Sequence, residues 1–309
     1  MPKISIVIPV FNEENNIKLL FNDLIINLNN VGLTYEIIFI DDGSKDNSVS
    51  ILEQLVNEHD FVKYAVLSRN FGHQSALKAG LDIANGDAVI TMDCDLQDPA
   101  YIVPQLIEEW KKGGEVVYAR RKNFRKDNFL KKFATKLHYK LLGRFTEIRI
   151  PKNVGDFRLI DRKVLNHLLS LNETTGYIRG MIAWVGFKNS FVDYTRPDRK
   201  HGKAGYTFSK LFHLAMEGLL SFSLLPLKFG LIIGLVSIFI GSIFMIYMIG
   251  DIIINGVYYQ LYKFLVDIIF IFMGLLFIFI WILGEYIGRI FRENKRRPSY
   301  IIRYSKNID

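Results

Sequence analysis

The stretch that decides the fold reads Asp87-Ala88-Val89-Ile90-Thr91-Met92-Asp93-Cys94-Asp95-Leu96-Gln97-Asp98. Its first half is a short apolar run typical of a buried strand, and its second half is acidic. Similar runs occupy residues 4–10, 35–40, 62–68 and 115–119. Between the runs, residues 14–28, 46–57, 74–84 and 101–111 have apolar side chains at helical spacing. This alternation predicts an α/β fold, a mainly parallel sheet with helices on both faces.

Polar side chains follow the predicted strands where each strand ends. Ligands of such sheets bind beyond the carboxyl ends of the strands, so these residues are candidates for a site. They are Pro9 to Asn15, Asp41 to Ser44, Ser68 to Gly72, and Asp93 to Asp98. No Gly-x-Gly-x-x-Gly follows the first strand and no Gly-Lys-Ser/Thr occurs, so the sequence does not support a dinucleotide or P-loop site.

Asp93 and Asp95 are the candidate metal ligands. Two carboxylates one residue apart, followed by the neutral oxygen of Gln97, suit a hard divalent cation such as Mg²⁺ or Mn²⁺. An isolated Asp-x-Asp also fits a solvated loop. Its place at the end of a predicted strand, with Asp42 expected nearby, favours the metal.

The last third of the chain is far more apolar than the rest. Residues 227–250 and 264–284 are each long enough to cross a bilayer core of ~30 Å as a helix, so we predict two transmembrane helices. Residues 207–226 have the pattern of an amphipathic interfacial helix, although a core helix fits that segment too. Residues 1–206 are then the catalytic domain, and residues 289–309 a basic tail.

The distribution of Lys and Arg predicts the orientation. The tail is rich in basic residues and the loop between the spans is not, which places both termini and the catalytic domain in the cytoplasm, at the plasma (inner) membrane. The net charge of +8 could indicate nucleic acid. Much of the excess flanks the predicted spans, so we expect a lipid bilayer as partner and no nucleic acid.

Five motifs together resemble one enzyme family. They are Ile8-Pro9-Val10-Phe11-Asn12-Glu13-Glu14, Ile40-Asp41-Asp42-Gly43-Ser44, Leu67-Ser68-Arg69-Asn70-Phe71-Gly72, Met92-Asp93-Cys94-Asp95-Leu96-Gln97-Asp98-Pro99 and Gly155-Asp156-Phe157-Arg158-Leu159. Over nearly its whole length the chain resembles the family 2 glycosyltransferases with the A-type (GT-A) fold. Within them it resembles the polyprenyl-phosphate glycosyltransferases, relatives of dolichyl-phosphate mannose synthase, and especially their two-span GtrB-type branch.

The resemblance implies inverting transfer of a hexose-type sugar from a nucleotide sugar, UDP rather than GDP, to a polyprenyl phosphate of the undecaprenyl type. It implies roles by position. The nucleotide would be held by Pro9, Glu13, Asp42 and Asp93. The cation would be held by Asp93, Asp95 and Gln97, and Asp156 would be the acceptor-side catalytic carboxylate. Arg121, Arg158, Arg199 and Lys203 are the candidate phosphate and acceptor ligands. The family lysine falls at Gly205 in this chain, so Lys203 or Lys200 would have to replace it.

Several alternatives stay open at this stage. A lipid phosphate has a second pKa of ~6, so Asp156 could orient the acceptor rather than remove a proton. A processive glycan synthase shares the motifs, but the chain lacks a Gln-x-x-Arg-Trp signature and further spans. An inactive membrane scaffold is the other alternative. The sequence specifies neither the sugar nor the oligomeric state, and a homo-oligomer formed through the spans is compatible with it.

Overall fold

The computed structural model describes residues 3–29, 31–122, 151, 153–171, 177–195, 261–295 and 297–308, with isolated positions between 236 and 256. The strands are β1 (Lys3–Val10), β2 (Thr34–Asp41), β3 (Val62–Leu67), β4 (Ala88–Thr91), β5 (Val116–Arg121), β6 (Val154–Asp161), β7 (Asn189–Tyr194) and β8 (Ile302–Lys306). The helices are α1 (Ile17–Leu28), α2 (Ser48–Glu58), α3 (His73–Ile83), α4 (Val103–Lys111), α5 (Arg162–Ser170), α6 (Ile178–Val185) and α7 (Leu261–Asn294).

The strands form one sheet in the order β7-β5-β6-β4-β1-β2-β3-β8. The central strands β4, β1, β2 and β3 pair in parallel, as predicted, and so do β5 and β7. β6 is antiparallel to both β4 and β5, and β8 is antiparallel to β3. The sheet is therefore mixed, because β6 enters between β4 and β5 in the opposite direction.

Both faces of the sheet are covered by helices, which confirms that part of the prediction. Apolar residues of α1, α2 and α4 pack on one face, and those of α3, α5 and α6 pack on the other. A strand buried on both faces reads as a nearly continuous apolar run, as Ile4 to Val10 does apart from Ser5. Gly80 brings α3 close to β1, since a Cβ there would lie 2.2 Å from Cγ1 of Val7.

The chain returns to the sheet at its C-terminal end. β8 adds the last strand beside β3, the Ser68 amide donates to the Ile301 carbonyl (2.8 Å), and the Tyr300 hydroxyl donates to Asp82 (2.8 Å). The predicted basic tail thus contains a strand of the catalytic sheet.

The predicted membrane segments are only partly described. Residues 207–226 lie outside the described residues, the first predicted span is described only at isolated positions, and residues 264–284 lie within α7. Among the described residues, we find no helix with the combined length and apolar character needed to cross a bilayer.

A buried carboxylate, Glu36, ties several strands together. It accepts hydrogen bonds from Lys3 (2.6 Å), Ser5 (2.6 Å) and the Asn85 amide (2.9 Å), and Lys63 Nζ lies 3.2 Å away. Burial raises the pKa of Glu36, but these four partners outweigh it and lower the pKa to about 2. The ionised form of Glu36 therefore stabilises the fold.

We predict that Glu36→Gln lowers the free energy of unfolding at pH 7 by about 3 kcal/mol, since it leaves buried donors poorly matched. The pKa is depressed in the folded state, so the stabilisation is present above the ordinary pKa of 4.5 and is lost as the pH falls towards about 2. Urea unfolding of the purified chain should show a larger difference from wild type at pH 7 than at pH 3, where about half of the stabilisation is lost. Glu58→Gln, at an exposed site, is the control. An equal difference at both pH values would contradict this role.

Candidate active site

The loops that follow β1 and β2 are joined by hydrogen bonds. The Asn12 amide donates to Ser44 Oγ (2.9 Å), the Lys45 amide donates to Asn12 Oδ1 (2.9 Å), and the Glu13 amide donates to Ser48 Oγ (3.0 Å). Pro9 is buried inside β1, whereas Glu13 is partly buried and accepts from Asn16 Nδ2 (2.5 Å). The two residues thus lie at the carboxyl edge of the sheet, where a nucleotide was predicted.

Asp42 fixes the loop after β3. Its carboxylate accepts the backbone amides of Phe71 (2.7 Å) and Gly72 (2.9 Å), and it is 3% exposed. Gly43 allows the two loops to approach, because a Cβ there would lie 2.8 Å from the Arg69 carbonyl carbon. Asp42 therefore holds the segment that leads into His73, in addition to its predicted role towards the nucleotide.

The loop after β4 presents Asp93 and Asp95. The Asp93 amide donates to Asp98 Oδ2 (3.1 Å), and the Gln97 amide donates to Asp95 Oδ1 (3.1 Å). Asp98 is buried and also accepts from the Tyr194 hydroxyl (3.2 Å), which anchors this loop to β7. A tight turn thus holds the two candidate metal ligands close together.

The charge of these residues fits a divalent cation. Asp93 Oδ1 is buried and accepts no hydrogen bond from a described residue. Burial and the neighbouring carboxylates of Asp156 and Asp95 raise the pKa of Asp93, against the opposing effect of His73. Within the described residues, no three His, Cys, Asp or Glu side chains form a metal site. Mg²⁺ is commonly held by one or two carboxylates plus substrate phosphates and water, and Asp93 with Asp95 suits that mode.

Asp156 lies between two arginines. Arg179 meets it side-on, with Nε 2.9 Å from Oδ1 and Nη2 2.6 Å from Oδ2, and Arg158 Nη2 donates to Oδ1. Asp156 is 6% exposed and Arg158 only 1%. Burial raises the pKa of Asp156, but Arg179, His73 and Arg158 outweigh it and hold the pKa well below its usual range. A carboxylate bound in this way is a weak base.

His73 connects the metal loop with Asp156. It is the first residue of α3, and its Nε2 lies 3.5 Å from Asp93 Oδ1 and 3.6 Å from Asp156 Oδ2. Partial burial lowers the pKa of His73, yet the two carboxylates raise it above its usual value. The next residue, Gln74, places Nε2 3.4 Å from Asp156 Oδ2. The candidate metal ligands and the predicted catalytic carboxylate thus form one cluster.

Of the four predicted phosphate and acceptor ligands, two lie among the described residues. Arg121 ends β5 and donates from Nε to the Tyr194 hydroxyl (3.3 Å). Gly155 makes room for it, since a Cβ there would lie 2.8 Å from Arg121 Nη2. Arg121 is thus beside the residue that precedes Asp156. Arg158 is in the cluster, whereas Arg199 and Lys203 lie outside the described residues.

For His73, Asp98 and Arg179, the sequence predicted no specific role. His73 directly follows the quoted motif that ends at Gly72, so its position after a strand was an available signal. Asp98 belongs to the quoted acidic motif, but nothing in the sequence indicates that it accepts from Tyr194. Arg179 lies in the first turn of a helix rather than after a strand, and only the tertiary fold brings it to Asp156.

Comparison with known proteins gives consistent matches. The model of the family described as Glycosyl transferase family 2 matches residues 5–169. An uncharacterized glycosyltransferase of Synechocystis is 41% identical over 97% of this chain and 94% of its own length. The prophage bactoprenol glucosyl transferase homolog of Escherichia coli K12 is 41% identical, over 98% of this chain and 99% of its own length. A bactoprenol glucosyl transferase of Shigella phage SfX is also 41% identical, over 98% of this chain and 100% of its own length.

We predict that Asp42→Asn loosens the segment from Ser68 to His73, because asparagine presents one acceptor oxygen to two backbone amides. Losing a charge-assisted hydrogen bond at a buried site is worth ~1.5–3 kcal/mol, so exchange of the Phe71 and Gly72 amides should quicken at least tenfold. Hydrogen exchange read by mass spectrometry measures this without a substrate. The exposed Asp60→Asn is the control. Unchanged protection in Asp42→Asn would show that the carboxylate does not hold this segment.

Proposed function

We propose that this chain, which belongs to glycosyl transferase family 2 and is a glycosyltransferase, transfers a hexose from a nucleotide sugar to a polyprenyl phosphate. We favour a UDP-sugar as the donor. The product would be a polyprenyl-monophosphate sugar with the anomeric centre inverted. One observation carries the choice of acceptor: both oxygens of Asp156 are held by guanidinium groups.

A hydroxyl acceptor and a phosphate acceptor differ in whether a proton has to be removed during attack. A hydroxyl acceptor must lose its proton during attack, so it needs a base whose pKa is near the operating pH. Arg158 and Arg179 keep the pKa of Asp156 far below that range. A phosphate monoester has a second pKa of ~6 and is already largely dianionic at neutral pH. The clamped carboxylate therefore suits a phosphate acceptor and does not suit a hydroxyl.

The reaction then needs no proton transfer. An oxygen of the acceptor phosphate forms a bond to the anomeric carbon while the bond from that carbon to the nucleoside diphosphate breaks. The electron pair of the broken bond leaves with the diphosphate. A divalent cation, Mg²⁺ or Mn²⁺, supplies charge neutralisation for that leaving group when bound, and Asp93 and Asp95 would hold it, with Gln97 beside them.

The names of the relatives support the acceptor. Those called bactoprenol glucosyl transferase match nearly the whole of this chain at about two-fifths identity. They favour glucose as the transferred sugar. Other relatives at similar identity are named only as glycosyltransferases, so a panel of sugar donors has to decide between hexoses.

A polyprenyl acceptor also favours attachment to the membrane. We place the catalytic domain at the cytosolic face, held by residues 207–288, with both termini cytoplasmic. Large apolar side chains of α7 supporting this proposal include Leu276 at 56%, Phe277 at 62% and Trp281 at 58% exposure. Exposed apolar area of this kind is favourable against lipid and costly in water.

Acceptor choice tests the proposal. Purified protein with a radiolabelled UDP-hexose should form a glycolipid with polyprenyl phosphate and none with polyprenol, as read by product mass. Asp156→Asn should lower the rate roughly tenfold or more and keep the inflection near pH 6 that belongs to the acceptor phosphate. A rate in Asp156→Asn that climbs with hydroxide concentration instead would assign Asp156 as the base. Polymeric product would favour a processive synthase, and no transfer from any UDP- or GDP-sugar would favour a scaffold.

The cation can be tested separately from catalysis. Binding of Mn²⁺ in the presence of UDP, followed by electron paramagnetic resonance, should weaken at least tenfold in Asp93→Asn and in Asp95→Ala, because each variant removes one charged ligand. Asp60→Asn should bind as wild type does. Equal affinity in all four proteins would place the cation elsewhere.

A further inference from the structure

Arg179 is the outermost member of the Asp156 cluster. Its side chain is 33% exposed, whereas Asp156 is 6% and Arg158 1% exposed. It stands in the first turn of α6, and Asp156 lies on β6, so a helix and the sheet both fix the pair. These three side chains thus extend from the buried guanidinium of Arg158, through the carboxylate of Asp156, to the guanidinium of Arg179, which reaches solvent.

The way Arg179 meets Asp156 leaves one side of its guanidinium available. The Nε and Nη2 atoms donate to the two carboxylate oxygens. Among the described residues, none accepts a hydrogen bond from Nη1. A guanidinium has two edges that can each bind two oxygens, so the Nη1–Nη2 edge remains open to a second anion. The spacing of these donors matches two oxygens of a phosphate.

The charge of the cluster also favours an anion. Asp156 contributes one negative charge, and Arg158 and Arg179 contribute two positive charges, so these three side chains alone carry a net charge of +1. The nearby carboxylates of Asp93 and Asp95 are assigned to the cation. Arg158 Nη1 is buried and lacks an acceptor among the described residues. Excess positive charge in a partly buried site attracts a phosphate more strongly than it would in water.

Asp156 makes Arg179 an effective ligand by restraining it. A free arginine side chain loses rotamer freedom when it binds an anion. Two hydrogen bonds to a buried carboxylate hold the guanidinium in one orientation before the acceptor arrives, and a preorganised donor loses less on binding. Asp156 is then a positioning residue, and Arg179 is the group that touches the acceptor.

We propose that Arg179 binds the acceptor phosphate through its Nη1–Nη2 edge while Asp156 holds its Nε–Nη2 edge. This assignment rests on the proposed function, since it requires a phosphate acceptor. It places the acceptor phosphate on the solvent side of Asp156, next to His73 and the candidate metal loop. The sugar diphosphate is left to the cation and its carboxylates.

Steady-state kinetics with the full-length protein in detergent test this placement, with polyprenyl phosphate and UDP-hexose varied separately. Arg179→Gln should raise KM for polyprenyl phosphate at least tenfold, because it removes a charge-assisted pair of hydrogen bonds to the phosphate. KM for the UDP-hexose should stay within about twofold of wild type. Arg179→Lys should recover part of the loss, since it restores the charge without the two-pronged geometry. Asp156→Asn should raise the same KM, and the double variant should be little worse than Arg179→Gln alone.

Arg120→Gln is a matched control. Arg120 meets Asp193 side-on in the same manner, with Nε 2.6 Å from Oδ1 and Nη2 3.1 Å from Oδ2, but that pair is on the exposed surface. The KM values of Arg120→Gln for polyprenyl phosphate and for the UDP-hexose should equal those of wild type. Thermal unfolding of every variant checks that each one folds.

Four results would overturn the placement. A fall in kcat with both KM values unchanged would make Arg179 part of the scaffold around Asp156. A rise in KM for the UDP-hexose alone would assign it to the sugar diphosphate. Failure of the wild-type protein to use polyprenyl phosphate would contradict both the proposed function and the assignment of Arg179. Normal transfer by the wild type, together with unchanged kinetics in Arg179→Gln, would contradict the assignment alone.

Discussion

The chemistry of this site depends on the pairing of Asp156 with two arginines. A buried carboxylate alone would take up a proton, because desolvation penalises its charged form. Arg158 from the inside and Arg179 from the outside keep it ionised. An ionised carboxylate with both oxygens occupied holds its neighbours in place but does not remove a proton. We infer the class of acceptor from that constraint, since a nucleophile that is already charged needs no base.

The mixed sheet makes this pairing possible. β6 runs antiparallel between β4 and β5 and carries Asp156 and Arg158 on the same face, two residues apart. That face is covered by α3 and α6, whose first turns supply His73 and Arg179. The parallel strands β1, β2 and β4 end at the same edge and present the loops predicted to hold the nucleotide and the cation. The two halves of the site meet where His73 lies between Asp93 and Asp156.

Much of the fold was predictable from periodicity, and the reasons are local. The runs at residues 4–10 and 35–40 are mostly apolar, and the structure has strands there. The direction of β6 was not predictable, because an apolar run carries no information about its neighbours. The closeness of Asp93 and Asp95 was predictable from their spacing, and their role as metal ligands stays a prediction. The clamp on Asp156 was not, since Arg179 is 23 residues away along the chain and becomes its partner only through α6.

The ionisation of Asp156 itself is the most direct measurement. Infrared difference spectra between wild type and Asp156→Asn, recorded during a titration from pH 8 to pH 4 with a carboxylate isotope label, report when this group gains its proton. Clamping by Arg158 and Arg179 predicts that Asp156 remains a carboxylate over that whole range. The appearance of a protonated Asp156 signal near neutral pH would contradict it, and would return the residue to the role of a general base.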